Sequence, residues 1–261
     1  MKKLIYILMA ALMVLAAISC KKDNSGSNDN DGKAPVPEAV DIGLVVNGKT
    51  IKWASFNLGA SKEYEYGNFY AWGETKPKSE YSWVTYSLAN GYNDQLIAYC
   101  SKEQSSYWDY SSKPDGPDGD LTLFPTDDAA HVKLGGKWRM PTQEECTALL
   151  ALRGDAENYK WEPWTFILDE NGNEIRDANG NVVRGLRITQ LSTGNSIFFP
   201  AAGNMENAAL SNPGVHGYYW SSSIVPVVPD NAYALLFLSG NSYTDNRSRF
   251  RGLSIRPVCE E

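Results

Sequence analysis

Catalysis by side chains needs a nucleophile beside a base, two facing carboxylates, or a set of metal ligands. The chain offers little for the first and the third. Its only histidines are His131 and His216, neither with a ligand-type neighbour at metal spacing, and no Cys-x-x-Cys occurs. Ser221-Ser222-Ser223 follows an apolar stretch but lacks the Gly-x-Ser-x-Gly elbow. Among 31 acidic residues the sequence nominates no pair as glycosidase acid and base. Residues 169–183 contain Asp-x-Asn-Gly-Asn twice, but aligned to an EF-hand from Asp169 the sixth position is Glu174 and the twelfth Gly180, so a protruding hairpin is expected rather than a calcium loop. Asp115, Asp118 and Asp120, among glycines and prolines, read as a solvated acidic turn, with a structural calcium as the alternative. No catalytic residue, metal or cofactor is expected.

Binding chemistry is better represented. Aromatic residues make up 12 % of the chain, with 15 Tyr and 8 Trp, the side chains that stack on sugar rings and anchor interfaces. Two stretches are candidates: Tyr107 and Trp108 in a polar loop, and Asn241, Tyr243, Asp245, Asn246, Arg247, Arg249 and Phe250, which mix aromatic, amide and charged groups. The plain alternative for the second is a solvated hairpin tip. Removing residues 1–19 would leave 22 basic against 31 acidic residues with no basic cluster after Lys22, so nucleic acid is excluded as a partner.

The elements that must position these residues are mostly strands. Asn47-Gly48 divides Leu44–Val46 from Thr50–Trp53, a hairpin signal; Asn90-Gly91, Asn171-Gly172 and Asn179-Gly180 read the same way. Strands are expected at 186–188, 196–199, 218–222, 233–238 and 253–258. Thr142 with Glu145 three residues on marks a helix start, followed by an apolar stripe through Cys146, Leu149 and Leu150 that ends at Gly154. A weaker helix is expected near 87–98. The class is α+β with antiparallel strands predominating. Cys100, Cys146 and Cys259 are an odd number, allowing at most one disulfide. An ion pair between Arg139 and Glu145, a carboxylate partner for Arg256, and buried Trp138 and Trp220 are further expectations.

The N-terminus has the organisation of an export signal: Lys2 and Lys3, an apolar run from Leu4 to Ile18, then Ser19 and Cys20 before Lys21 and Lys22. The apolar run is too short for a spanning helix, which takes about 20 residues. Ala17-Ile18-Ser19-Cys20 resembles the lipobox of bacterial lipoproteins, which implies lipidation of Cys20. Residues 1–19 are thus read as the signal peptide and 20–38 as a disordered tether of Asn, Ser, Gly, Asp and Pro whose acidic residues loosely resemble surface-export tags. One folded domain, 39–261, remains.

Several ordered blocks in that domain carry a resemblance. Val40-Asp41-Ile42-Gly43-Leu44, Lys52-Trp53-Ala54, Asn57-Leu58-Gly59-Ala60, Tyr70-Ala71-Trp72-Gly73-Glu74-Thr75, Gly135-Gly136-Lys137-Trp138-Arg139-Met140-Pro141-Thr142, Gly217-Tyr218-Tyr219-Trp220-Ser221-Ser222 and Ile255-Arg256-Pro257-Val258 resemble, in order, the Fibrobacter succinogenes major paralogous domain of Bacteroidetes lipoproteins. The resemblance implies a C-type-lectin-like fold in which N- and C-terminal strands pair and a long irregular region carries the binding surface. That fold is similar to formylglycine-generating enzymes, whose late cysteine pair is missing here, and to hypervariable receptors that bind just ahead of the terminal strand, where 241–250 lie.

The expected protein is a lipid-anchored outer-membrane lipoprotein, surface-exposed or facing the periplasm. Its lectin-like domain is non-catalytic and binds a glycan or protein ligand. The alternatives are an envelope assembly component without a small ligand and a cryptic enzyme. Protease shaving of intact cells should release peptides from residues 39–261 if the domain faces the medium; protection until the outer membrane is permeabilised would place it in the periplasm.

Overall fold

A computed structural model describes residues 35–261, which belong to one compact unit. The signal peptide, Cys20 and most of the tether lie outside the described residues. No helix among the described residues is long and apolar enough to cross a membrane.

The chain begins with β1 (Ala39–Val40), β2 (Val45–Val46) and β3 (Lys49–Ala54). Asn47 and Gly48 both take left-handed backbone, φ 52° and 76°, so β2 and β3 join through the two-residue turn expected there. At the other three Asn-Gly pairs only the glycine is left-handed. In the two repeats each Asp carboxylate instead accepts from amides two and four residues on (Asp169 from Asn171 and Asn173, Asp177 from Asn179 and Asn181), giving two identical turns in tandem.

Residues 55–128 hold no strand ladder, only 3₁₀ turns at Trp83–Thr85 and Lys102–Tyr107. The helix expected near 87–98 is absent; that stretch is a series of turns, because its apolar residues are split by Asn90-Gly91 and lack a cap. Two helices follow: α1 (Ala129–Leu134), capped by the Asp128 carboxylate, and α2 (Gln143–Ala151), whose Thr142 and Glu145 form the reciprocal capping box. The remaining strands are β4 (Tyr159–Phe166), β5 (Arg184–Gln190), β6 (Ser196–Pro200), β7 (Asn204–Glu206), β8 (Ala209–Ser211), β9 (Gly217–Ile224), β10 (Asn231–Leu238), β11 (Asn241–Ser248) and β12 (Val258–Glu260). The result is mixed α+β, with antiparallel strands in open sheets: β1-β3-β12 with β2 on β3, β4-β5-β6, β11-β10-β9, and the β7-β8 hairpin. Early β3 and late β12 pair directly, Trp53 opposite Val258. The strand expected over 253–258 is found instead at Val258–Glu260; Leu253 and Ser254 make only isolated bridges, to Tyr70 and Tyr219.

Alternation along β9 and β10 divides the core. Tyr218, Trp220, Ala232, Ala234 and Leu236 enter one cluster with Trp72, Trp138 and Met140. Tyr219, Leu235 and Phe237 enter another with Trp53, Leu149 and Phe199. Both faces of β9 and β10 are therefore buried, whereas the edge strand β11 is polar and partly exposed. The Trp138 and Trp220 rings are buried as expected. Trp72 Nε1 donates to Ser221 O at 2.9 Å and Trp220 Nε1 to Tyr70 O at 2.8 Å, a reciprocal clasp between the irregular region and β9.

The irregular backbone has carbonyls that no ladder satisfies, and two fully buried arginines supply donors. Arg249 donates to Tyr86 Oη (2.8 Å) and to the carbonyls of Tyr99, Pro229 and Ala98 (3.0 Å each), with Trp72 4.8 Å beneath its plane. Arg256 donates to Asn57 Oδ1 (2.9 Å), Ala54 O (2.9 Å) and Phe198 O (2.5 Å). Among the described residues no carboxylate touches Arg256, contrary to expectation; neutral oxygens fill its fork. Burial lowers its pKa to about 10, still cationic near neutrality. Arg139 does pair with Glu145, at 2.6 Å, and with Glu260, at 2.7 Å. The three cysteines are buried free thiols, with no disulfide.

Replacing Arg256 with Lys keeps the charge but cannot reach three acceptors in one plane. The exchange should cost about 2–3 kcal/mol, lowering the melting midpoint by roughly 5–10 °C, while the exposed Lys160→Met should leave it unchanged. A midpoint for Arg256→Lys within 1 °C of the parent, ~0.3 kcal/mol on the same scale, would contradict this account of the buried fork.

Candidate binding cleft

The polar cleft lies where the β7-β8 hairpin meets the end of β11. The hairpin is held by main-chain bonds: Met205 and Gly252 exchange both (2.7 and 3.0 Å), and Asn207 pairs with Tyr81 (2.8 Å each way). Gly203 enters it with φ 73°, and a Cβ there would stand 2.2 Å from Ser211 O, so only glycine allows this approach. Opposite stand Asn246, Arg247 and Ser248, with Arg251 beyond and Tyr218 of β9 between the walls. Asn204, Glu206, Ser211 and Asn212 complete a concavity of about 370 Å³.

Its charged groups are paired but not buried. Arg247 Nη2 lies 2.8 Å from Asp245 and its guanidinium 5.0 Å from the Tyr218 ring centroid. Arg251 pairs with Glu206. Asn231 Nδ2 donates to Asn246 Oδ1 at 2.8 Å. Asn204 differs: it is 6 % exposed and its Nδ2 has no partner among the described residues. A buried unmade donor costs about 1–3 kcal/mol.

A larger concavity, about 490 Å³, lies beside Trp138, Met140, Leu123 and His131. The fold already satisfies its polar groups. Asp128 accepts from the amides of Ala130, His131 and Met140, Arg139 holds two carboxylates, and His131 Nδ1 sits 3.2 Å from Trp138 O. The smaller cleft is the better ligand site because more of its lining is polar and unpaired: the Ser211, Asn212 and Ser248 side chains and the Nε and Nη2 of Arg251 have no partner among the described residues.

The sequence-derived residues separate. Asn246 and Arg247 line the cleft, with Asp245 orienting Arg247. Asn241 and Tyr243, the latter 39 % exposed, stand toward the β10-β11 turn. Four residues of strand put Tyr243 about 13 Å from Arg247. Arg249 is a correction, being wholly buried as described. Phe250 is half-buried against Trp83, ring centroids 5.2 Å apart. Trp108 is likewise no surface residue: it is 6 % exposed and its Nε1 donates to Lys113 O at 2.8 Å, with Tyr107 half-buried beside it. Asp118 accepts from the amides of Tyr99 (2.7 Å), Cys100 (2.9 Å) and Asp120 (3.2 Å), so these amides occupy the carboxylate. Among the described residues no three His, Cys, Asp or Glu side chains are placed to hold one metal ion. Sequence reasoning missed Asn204, Glu206, Asn212, Tyr218 and Arg251. The turn-rich run Gly203 to Gly214 was the local signal for the first three.

Beside the cleft, His216 Nδ1 lies 2.9 Å from Tyr218 Oη. Burial, reinforced by Arg247, lowers the His216 pKa below 6.5. An unfolded chain then binds the proton more readily than the folded one, so stability is lost as pH falls below about 6.5. In an NMR titration the His216 midpoint should fall below that value, and Arg247→Ala should move it partway back; a midpoint at or above it would be inconsistent with this placement. No protein-family model, no curated protein and no solved structure matches the chain.

Proposed function

We propose that this chain is a lipid-anchored envelope protein of the Fibrobacter succinogenes major paralogous domain type. On this reading its C-type-lectin-like domain, without catalytic activity, binds a glycan or a protein presented at the outer membrane. The pairing of β3 with β12 and the long ladder-free stretch over 55–128 support the fold assignment, as do the clasped tryptophans of the motif blocks. The observation that carries the binding reading is the polar cleft between the β7-β8 hairpin and the end of β11, lined by half-exposed guanidiniums with free donors and by unpaired amide and hydroxyl side chains. Planar polar groups around its rim suit the adjacent hydroxyls of a sugar. At about 370 Å³, near the lower limit of ligand sites, the cleft suits a single ring better than a folded peptide surface.

Screened on a glycan array as the full chain, the protein should show discrete hits that Arg247→Ala and Asn246→Ala each weaken about tenfold or more, the scale of one charge-assisted hydrogen bond. Tyr243→Ala should leave those hits within about twofold, because it stands outside the cleft. Hits abolished by Tyr243→Ala and untouched by Arg247→Ala would move the site to the β10-β11 turn; no hits at all would sink the glycan reading.

A further inference from the structure

An unpaired strand edge is a template for another strand, and folded chains usually blunt it. Most edges here are blunted. β1, β2, β7 and β8 are only two or three residues long. β4 carries Pro163, a left-handed Trp164 (φ 61°) and a register shift. The Phe198 and Pro200 carbonyls of β6 accept from Arg256 and Tyr219. On the outer side of β9, Trp220 N donates to Ser254 O and Ser222 N to Pro141 O, while β12 is bridged by Arg139. β11 differs. It pairs with β10 over eight residues without a register shift, contains no proline, and has no strand on its other side among the described residues.

Leu238 and Asn241 flank a two-residue turn, so they form the first hydrogen-bonded pair of the hairpin and the bonding alternates from there. Residues 242, 244, 246 and 248 therefore turn their peptide groups outward. The contacts agree: Ser248 O accepts from Arg251 N, Ser242 N donates to its neighbour Asn241, and Asn246 O accepts from Arg247 Nη1. The N–H and C=O of Thr244 and the N–H groups of Asn246 and Ser248 are left unpartnered among the described residues. On one face of the same stretch, Asp245 and Arg247 stand two residues apart with opposite charge.

We infer that β11 is a self-association edge, at which two copies of the chain join antiparallel about Asn246 and turn two three-stranded sheets into one. With Asn246 opposite Asn246, Thr244 meets Ser248 of the second copy through outward peptide groups, and the Ser248 carbonyl keeps a second lone pair for the contact. Asp245 then faces Arg247 of the second copy on both sides of the axis. Facing residues of this kind stand about 4.5 Å apart at Cα, closer than the roughly 6.7 Å between positions 245 and 247 of one strand. Centring the axis on Asp245 instead sets two carboxylates face to face, which is unfavourable.

Sedimentation of the full chain under reducing conditions, over concentrations reaching about 100 μM, tests this. The parent should show a concentration-dependent dimer. Thr244→Pro removes an outward N–H, twice by symmetry, and leaves the β10 ladder intact, so it should weaken the dimer about tenfold or more. Asp245→Arg and Arg247→Asp should each weaken it about tenfold by opposing like charges, and an equimolar mixture of the two should regain the parental affinity, since every facing pair is again opposite in sign. An ion pair within one chain could not be rescued by mixing. A chain that stays monomeric leaves this edge to a strand of another protein and overturns the inference. So does a mixture no tighter than its components, or a dimer indifferent to Thr244→Pro; where melting curves show that the proline variant is unfolded, the charge mixture decides.

Discussion

Arg249 is the contact on which the irregular half of this protein depends. It belongs to the segment that follows β11, yet its guanidinium reaches carbonyls at residues 98, 99 and 229 and the hydroxyl of Tyr86, which lies on a different loop. Loops of this length cannot lie in a core unless their peptide groups are matched. One side chain with five fixed donors does there what a strand ladder does elsewhere. Tyr99 shows the consequence. Its backbone is left-handed at φ 57°, an unfavourable state for an aromatic residue. It is held from both sides, by Asp118 on its amide and Arg249 on its carbonyl.

The buried arginines and the cleft use the same residue type for opposite ends. Arg249 and Arg256 are saturated by neutral oxygens and stack on Trp72 and Phe199, so they work as fasteners. Arg247 and Arg251 are half-exposed, each with one carboxylate and unused donors. Lying within ten residues of one another, these four arginines could not be sorted by local composition. What separates Arg247 from Arg249 is whether the strand has ended, and Arg251, past the strand as well, is back at the surface. Arg247 is still in β11, at the open edge of its sheet, whereas Arg249 follows Ser248 and turns inward beneath Trp72.

That contrast sets how much could be read from the chain alone. The capping box at Thr142, the β2-β3 turn and the strands over 186–188, 196–199, 218–222 and 233–238 depend on neighbours a few residues apart, and all are present. The pairing of Arg139 with Glu145 and the burial of Trp138 and Trp220 were legible because they sit inside short motifs. The helix expected near 87–98 failed because tertiary clasps, not local periodicity, organise 55–128. Part of one wall of the cleft was legible, through Asn246 and Arg247. The other wall comes from a hairpin some forty residues earlier in the chain, held by bonds between Met205 and Gly252 that no local pattern announces.

The pairing of β3 with β12 bears on the order of folding. Arg256 reaches the carbonyl of Ala54, a residue 202 positions earlier. Neither the terminal sheet nor the arginine fork can therefore form until almost the whole chain has been synthesised. Such long-range closure is entropically slow. A polypeptide built this way keeps its terminal sheet open through most of its synthesis, and any event that needs that edge unpaired must come before Val258 meets Trp53.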